Sequence, residues 1–347
     1  MTLILGIEST AHTFGVGIAN EDGILVNIND TYTPPQGIGI HPRIAADHHV
    51  TVGPRVLREA LRKANLTIND IDAIAFSMGP GLGPTLRVGA TLARALAIKF
   101  DKPLIPVHHG VAHVEIARWA SSFEDPLVLL VSGGHTMVIA HSGRTYAIFG
   151  ETIDMAIGNA LDQFARQVGL PNPGVPHIEE CATKGTKYIP LPYTVKGQDV
   201  SFSGIIEEAL RLIKKGEPLP NVCLSLIETT YAMLAEVTER GLALTGKKEL
   251  LIAGGVARSK RLREIMQYIA NEFNTKISVV PPEYAGDNGA MIALTGLLAY
   301  KEGITINPTE AVTKQRWRLD EVETPWFKKN HGKQNNFDLK PIKTKHL

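Results

Sequence analysis

The sequence predicts an α/β protein of two lobes built on one plan. Three observations predict it. A buried strand, a small polar turn and a second strand occur over Ile4–Ala19, and the same order returns over Leu129–Ala140. Each hairpin leads on to further strands alternating with helical stretches, the pattern of α/β folds. At 347 residues the chain is long enough for two lobes around a large core. The likeness of the two halves is one of plan rather than of residues, so two ordinary hairpins would give the same pattern.

In order, Ile4 to Ile7 is a buried strand ending at the polar tip Glu8-Ser9-Thr10, and Phe14 to Ala19 is its partner. The turn Asn20–Gly23 precedes a third strand, Ile24 to Ile28. After a Pro- and Gly-rich loop, Pro34 to Pro42, an amphipathic helix is expected over Ile44–Lys63. A strand over Ala73–Ser77, the turn Gly79–Pro84, a helix over Leu86–Phe100, a strand over Pro103–Val107 and a helix over Gly110–Ser122 complete the first half. The second half has strands over Leu127–Val131, Met137–Ala140 and Thr145–Phe149. Helices follow over Met155–Val168, Ile178–Lys184, Gly204–Lys214 and Val222–Leu244. A strand over Leu250–Ala253, a basic helix to Phe273, a strand over Ile277–Val280 and a helix over Ala290–Tyr300 close the pattern. The expected domains are residues 1–125, joined by a returning helix over 287–303, then 126–286, then an extension over 304–347.

Composition sets the class. A hydrophobic content of 44% and a charged content of 20% are ordinary for a soluble globular chain. The net charge of +1 neither implies nor excludes nucleic acid; such a partner would need a local basic patch or helper subunits. Cys181 and Cys223 fall in helical stretches, which argues against a disulfide framework and for a reducing compartment. The start, Met1 to Gly6, runs into a strand without a basic leader, and no apolar run is long enough to span a membrane, so a cytoplasmic protein is expected.

The chemistry centres on Val107-His108-His109-Gly110-Val111-Ala112-His113. His109 and His113 share one helix face at i, i+4 and can converge on one cation, although separate surface or core histidines would show the same spacing. A zinc-peptidase helix places a glutamate base between such histidines; Gly110, Val111 and Ala112 stand there instead, which argues against peptide hydrolysis. The third-ligand candidate is Asp287, in Gly286-Asp287-Asn288-Gly289, where a plain helix cap is the competing explanation. Two histidines and a carboxylate leave positions open for phosphate or carboxylate oxygens. The turn Ser132-Gly133-Gly134-His135-Thr136 is too short for a P-loop, but its glycines allow close backbone approach, and Gly254-Gly255 repeats the device. Ser132, Gly254 and Gly286 all fall just after strand ends, where α/β sheets bind ligands. Asp162 and Glu179 lie on helices, where solvated surface positions would look the same.

Gly6 to His12, Gly39 to Arg43, Gly79 to Pro84, His109-x-x-x-His113, Val131 to Thr136, Ser201 to Gly204, Gly254 to Ala257 and Gly286 to Gly289 occur in this order. Together, over residues 3–323, they resemble the tRNA threonylcarbamoyladenosine synthase family, TsaD in bacteria and the KEOPS catalytic subunit in archaea and eukaryotes; the first of them looks like the archaeal branch. The resemblance implies two duplicated lobes of the actin-like, Hsp70-like ATPase (ASKHA) fold with an interlobe cleft. It implies transfer of threonylcarbamoyl from threonylcarbamoyl-AMP to the adenosine 3′ of the anticodon in ANN-decoding tRNAs. It also implies a divalent metal, iron or zinc, on His109, His113 and Asp287, and an ATP- or AMP-type nucleotide on Val131, Ser132, Gly133, Gly134, His135, Asp162, Gly174 and Glu179, with Gly254, Gly255 and Ser259 beside it. The implied partners are tRNA and other KEOPS subunits, including a separate small kinase/ATPase.

The chain departs from the family pattern at Leu130, where archaeal relatives usually have a tyrosine and bacterial ones resemble this chain, and at Val175, where a glycine is usual. Ser259 replaces an asparagine, and Val111 an acidic residue. Two rival classes share the fold: a small-molecule kinase, which would need an acidic base, and a non-catalytic nucleotide-binding scaffold. The tail, Phe327 to Leu347, carries Lys328, Lys329, Lys333, Lys340, Lys343 and Lys345 against Asp338 and reads as a solvated end before it reads as a nucleic-acid arm.

Overall fold

The computed structural model describes residues 1–35 and 37–327; the lysines of the tail lie outside the described residues. The first half comprises β1 (Ile4–Glu8), β2 (Thr13–Asn20), β3 (Gly23–Thr31), α1 (Pro42–Ala64), β4 (Ala73–Gly79), α2 (Gly83–Phe100), β5 (Leu104–His108) and α3 (His109–Ser121). The second comprises β6 (Leu127–Val131), β7 (Thr136–Ser142), β8 (Thr145–Glu151), α4 (Ile157–Gln167), α5 (Gly174–Ala182), β9 (Val195–Lys196), β10 (Asp199–Val200), α6 (Ser203–Lys214) and α7 (Leu219–Thr245). It continues through β11 (Glu249–Ala253), α8 (Lys260–Glu272), β12 (Lys276–Val279), α9 (Pro282–Ala285) and α10 (Gly289–Lys301).

The two sheets have one topology. The first runs β3-β2-β1-β4-β5 and the second β8-β7-β6-β11-β12. In each, an antiparallel meander of three strands is extended by two parallel strands. The strands that carry the hairpin tips, β1 and β6, are buried at every residue, as a central strand covered on both faces requires.

Four helices begin earlier than apolar periodicity predicts, and prolines explain it. Pro42, Pro84, Pro176 and Pro220 lie in the first turns of α1, α2, α5 and α7, where the missing N–H has no partner to lose. The sequence reading begins those helices after the prolines. It also lacks the β9–β10 hairpin and the short α9, which separates β12 from Gly286.

Helix α10 lies on β1 and β2 at backbone contact. A Cβ on Gly6 would come within 2.1 Å of the Ala293 nitrogen, and one on Gly289 within 2.3 Å of the Gly17 nitrogen. Any side chain at these positions would push the helix off the sheet. Helix α3 is buried from His109 to Trp119 and touches strands of both sheets. Its buried Glu115 and Arg118 pair with each other, and the Tyr146 hydroxyl of β8 donates to Glu115 at 2.7 Å. This satisfies charges that burial would otherwise make costly.

The segment after α10 straps both sheets. Ile306 bridges Leu104 of β5, and the Lys314 amide donates to the Met78 carbonyl at 2.8 Å. Further on, Arg318 pairs with Glu151 of β8 at 3.2 Å, and the Phe327 ring stacks on His141 of β7 at 3.7 Å between centroids.

Candidate functional site

Two helix starts meet at one point. His109 opens α3, and Asp287 stands two residues before α10. The His113 Nε2 is 3.2 Å from Asp287 Oδ1, the His109 Nε2 is 3.5 Å from it, and one donor atom from each residue lies within 4.8 Å of the others. The histidine rings cross nearly at right angles, 88°, with centroids 4.6 Å apart. Two buried imidazole nitrogens and a half-buried carboxylate oxygen that converge are a donor set suited to a divalent cation.

Capping leaves these three side chains free. The cap of α10 is Asn288, whose Oδ1 accepts the Met291 amide at 2.9 Å, so Asp287 is not the cap. The cap of α3 is His108. Its Nδ1 accepts the Val111 amide at 3.2 Å and its Nε2–H donates to the Trp317 carbonyl at 3.1 Å, which fixes a neutral tautomer. Burial holds the His108 pKa down at about 4. The Gly289 amide donates to Asn29 Oδ1 at 3.1 Å, tying the start of α10 to β3.

Glu8, at the end of β1, is fully buried and faces the other side of His109. Its Oε2 accepts from His109 Nδ1 at 3.1 Å, and its Oε1 accepts from the Thr10 amide at 2.6 Å and the Thr10 hydroxyl at 2.5 Å. A carboxylate on the far nitrogen turns the near one, Nε2, toward Asp287. Burial opposes charge on His109, but the Glu8 and Asp287 carboxylates outweigh it and hold its pKa up at about 9. Burial would likewise raise Asp287, but the His109 and His113 rings beside it hold its carboxyl well below the usual range. Glu8 is absent from the site read off the sequence. Its one signal there is a charged residue ending an otherwise apolar strand.

The second hairpin tip borders this cluster. The His135 ring lies 5.9 Å from that of His109, and burial together with the neighbouring histidines holds it neutral. Ser132 folds the turn on itself: its amide donates to the His135 carbonyl at 2.8 Å, and its Oγ accepts the Gly134 and His135 amides at 3.2 and 2.9 Å. Gly133 and Gly134 are exposed, with open space where a Cβ would stand. The turn rests on two other glycines. A Cβ on Gly158 would meet the Ser132 carbonyl oxygen at 2.6 Å, and one on Gly254, whose φ is +91°, would meet that of Val131 at 2.4 Å.

The remaining sequence-predicted residues form two pairs nearby. Asp162, one turn along α4 from Gly158, accepts the Gly174 amide at 2.6 Å. Ser259 caps α8 by accepting the Leu262 amide at 2.9 Å, and its hydroxyl donates to Glu179 Oε1, which also receives the Tyr231 hydroxyl at 3.1 Å. Ser259 is therefore taken up between a cap and Glu179. Gly255 opens the 3-10 turn after β11 and meets nothing.

A duplicated α/β fold in which two histidines and an aspartate converge beside an open glycine turn defines a class of protein with one polar cluster between two like sheets. The comparisons narrow it. The family described as TsaD, tRNA N6-adenosine threonylcarbamoyltransferase, matches residues 23–294. A protein of that name from Caldivirga maquilingensis is 64% identical over 94% of this chain and 98% of its own length. Others from Pyrobaculum aerophilum and Sulfurisphaera tokodaii are 58% and 52% identical, over 94% and 93% of this chain and 95% and 98% of theirs. The chain belongs to the tRNA N6-adenosine threonylcarbamoyltransferase family.

Among solved structures, T. kodakarensis HypF superposes with a TM-score of 0.62 at 17% identity, over 87% of this chain; the chain spans 48% of that structure. A full-length HypF in a phosphate- and nucleotide-bound form gives 0.58 at 12% identity, over 86% of this chain and 55% of that one. At such identities the likeness is one of fold, and the fold is the actin-like, ASKHA type.

Proposed function

We propose that the chain transfers a threonylcarbamoyl group from threonylcarbamoyl-AMP to N6 of the adenosine 3′ of the anticodon in ANN-decoding tRNAs, releasing AMP. The observation that carries this reading is the 64% identity along 94% of the chain to a relative named tRNA N6-adenosine threonylcarbamoyltransferase.

In this reading His109, His113 and Asp287 hold one divalent cation, iron or zinc. The fit rests on the donor set and on Glu8, which binds the His109 Nδ1–H and turns Nε2 toward Asp287, where a cation would replace the proton. Such a cation supplies positive charge against the phosphate and acyl oxygens of the substrate. The chain's own groups do the rest. The exposed turn at Gly133 and Gly134 receives the phosphate of the adenylate, since no side chain keeps it at a distance, with the Gly134 amide passing to it from Ser132 Oγ, 3.2 Å away. Val131, His135, Gly254 and Gly255 line that approach, while Asp162, Gly174, Glu179 and Ser259 wall the nucleoside side. Donors fixed before the reaction stabilise charge on the departing AMP without reorganising.

The lobes in this reading are residues 1–125 with the helix over 287–303, and residues 126–286. The partners are tRNA and the subunits of a KEOPS-type assembly, among them a separate small kinase/ATPase, in the cytoplasm. Among the described residues no helix is long and apolar enough to cross a membrane. A net charge of +1 gives little general attraction for a polyanion, which fits an enzyme that docks tRNA with helper subunits.

The test is an assay with threonylcarbamoyl-AMP, an ANN-decoding tRNA and the partner subunits, read by nucleoside mass spectrometry. Modified adenosine is expected. Unmodified tRNA in the complete mixture would overturn the reading.

A further inference from the structure

The chain has two cysteines, and the fold brings them together. Cys181 lies in the last turn of α5, and Cys223 in the first turns of α7. The two helices pack in opposite directions, and contacts on either side bracket the pair. Towards the start of α5, the Tyr231 hydroxyl donates to Glu179 Oε1 at 3.1 Å. Just past its end, a Cβ on Gly185 would lie 2.6 Å from the Pro220 carbonyl oxygen and 2.8 Å from the Leu224 Cβ. Position 181 falls between 179 and 185, and position 223 between 231 and 220. The Cys181 side chain is near enough to act on the Cys223 thiol. Cys223 is buried in the core, and Cys181 is half-buried.

We propose that Cys181 and Cys223 form a reversible disulfide that staples α5 to α7. The oxidant is another disulfide, of a small thiol or of a protein. The Cys181 thiolate attacks one sulfur of that disulfide and expels the other as a thiol. Cys223 then gives up its proton and attacks the Cys181 sulfur, expelling the second thiol. Two electrons and two protons pass from the cysteine pair to the oxidant, which leaves as two thiols. Burial and the adjacent Cys181 push the Cys223 thiol up, so the second step is slow near neutrality and quickens as pH rises.

The bond would close a loop that holds the β9–β10 hairpin and α6, restricting the unfolded chain. It would also fix α5, which carries Gly174 and Glu179; that consequence alone rests on the proposed nucleotide site. Thiol counting does not depend on it, so the two ideas fail separately.

The experiment uses the full-length protein equilibrated with oxidised glutathione or with dithiothreitol at pH 8.5, then denatured, alkylated and weighed intact. The oxidised sample is expected to carry no alkylated cysteine and no glutathione, and the reduced sample two alkylated cysteines. The oxidised sample is also expected to melt about 3–6 °C higher. Cys181→Ser, at the half-buried position, is expected to melt alike in both buffers. Two alkylated thiols after oxidation, glutathione adducts, or disulfide-linked dimers alone would overturn the pairing. An internal disulfide without a higher melting point would overturn the staple.

Discussion

The two lobes share one hairpin and use its tip differently. In the first, the tip is buried and committed: Glu8 takes both Thr10 donors on one oxygen and the His109 ring on the other. In the second, Ser132 closes the turn on itself and leaves Gly133 and Gly134 facing open space. One tip aims an imidazole, and the other offers bare backbone. The helices after the last strands repeat the contrast. His108 caps α3 and frees His109; Asn288 caps α10 and frees Asp287. Neighbouring residues divide capping from the proposed ligation, so neither role would compromise the other. The shared backbone fixes where side chains stand, and their chemistry fixes what each lobe contributes.

The comparison breaks most directly at Asp287. Asp287→Ala is expected to abolish stoichiometric metal and reduce transfer by about 100-fold or more, because a carboxylate ligand is lost outright. Elemental analysis and single-turnover assays check this, and full metal content in the variant would remove the site. Glu8→Gln tests the first tip alone. It keeps the shape but loses the charge on His109, and metal affinity is expected to fall about 10–100-fold with the fold intact. An unchanged affinity would reduce Glu8 to a buried structural group.

The pH dependence comes next. In the metal-free protein His109 keeps its proton up to about pH 9. A metal ligand must be neutral, so loading below that pH expels a proton. Apparent metal affinity is expected to rise with pH, by up to about tenfold per unit, and to level off above about 9. Calorimetric titrations in buffers of different ionisation enthalpy count the proton directly. A flat profile from pH 7 to 9 would contradict the Glu8–His109–Asp287 coupling.

The smallest effects separate the glycines of the second tip. Gly158→Ala pushes a Cβ into the Ser132 carbonyl and is expected to cost about 1–3 kcal/mol of stability. Gly133→Ala meets nothing and should cost less than about 0.5 kcal/mol, yet weaken nucleotide binding by obstructing the turn. Thermal melts and fluorescent-nucleotide titrations on the pair distinguish support from contact. If Gly133→Ala binds nucleotide as well as wild type, the open tip is not the phosphate site.

Much of this protein is local and therefore legible in the chain. Buried strands announce themselves as apolar runs, and the i, i+4 spacing alone puts His109 and His113 on one helix face. The glycine pair after β6 marks the open turn, while Gly254 of the pair after β11 packs beneath it. The strand–turn–strand units and the family motifs each follow from residues within a few positions of one another. Helix starts were less legible, because a first-turn proline looks like a breaker when its backbone neighbours are unknown.

What the tertiary structure decided are meetings between residues far apart in sequence. Nothing near Glu8 points to His109, and nothing near Asp287 shows that Asn288 takes over the cap. Nothing in the helical setting of Cys181 and Cys223 shows that α5 and α7 bring their thiols together. Each meeting depends on the approach of two elements, such as α10 lying on β1 through Gly6, with a Cβ there 2.1 Å from the Ala293 nitrogen. Periodicity and propensity act over one or two turns of chain; close packing between elements selects which distant side chains touch.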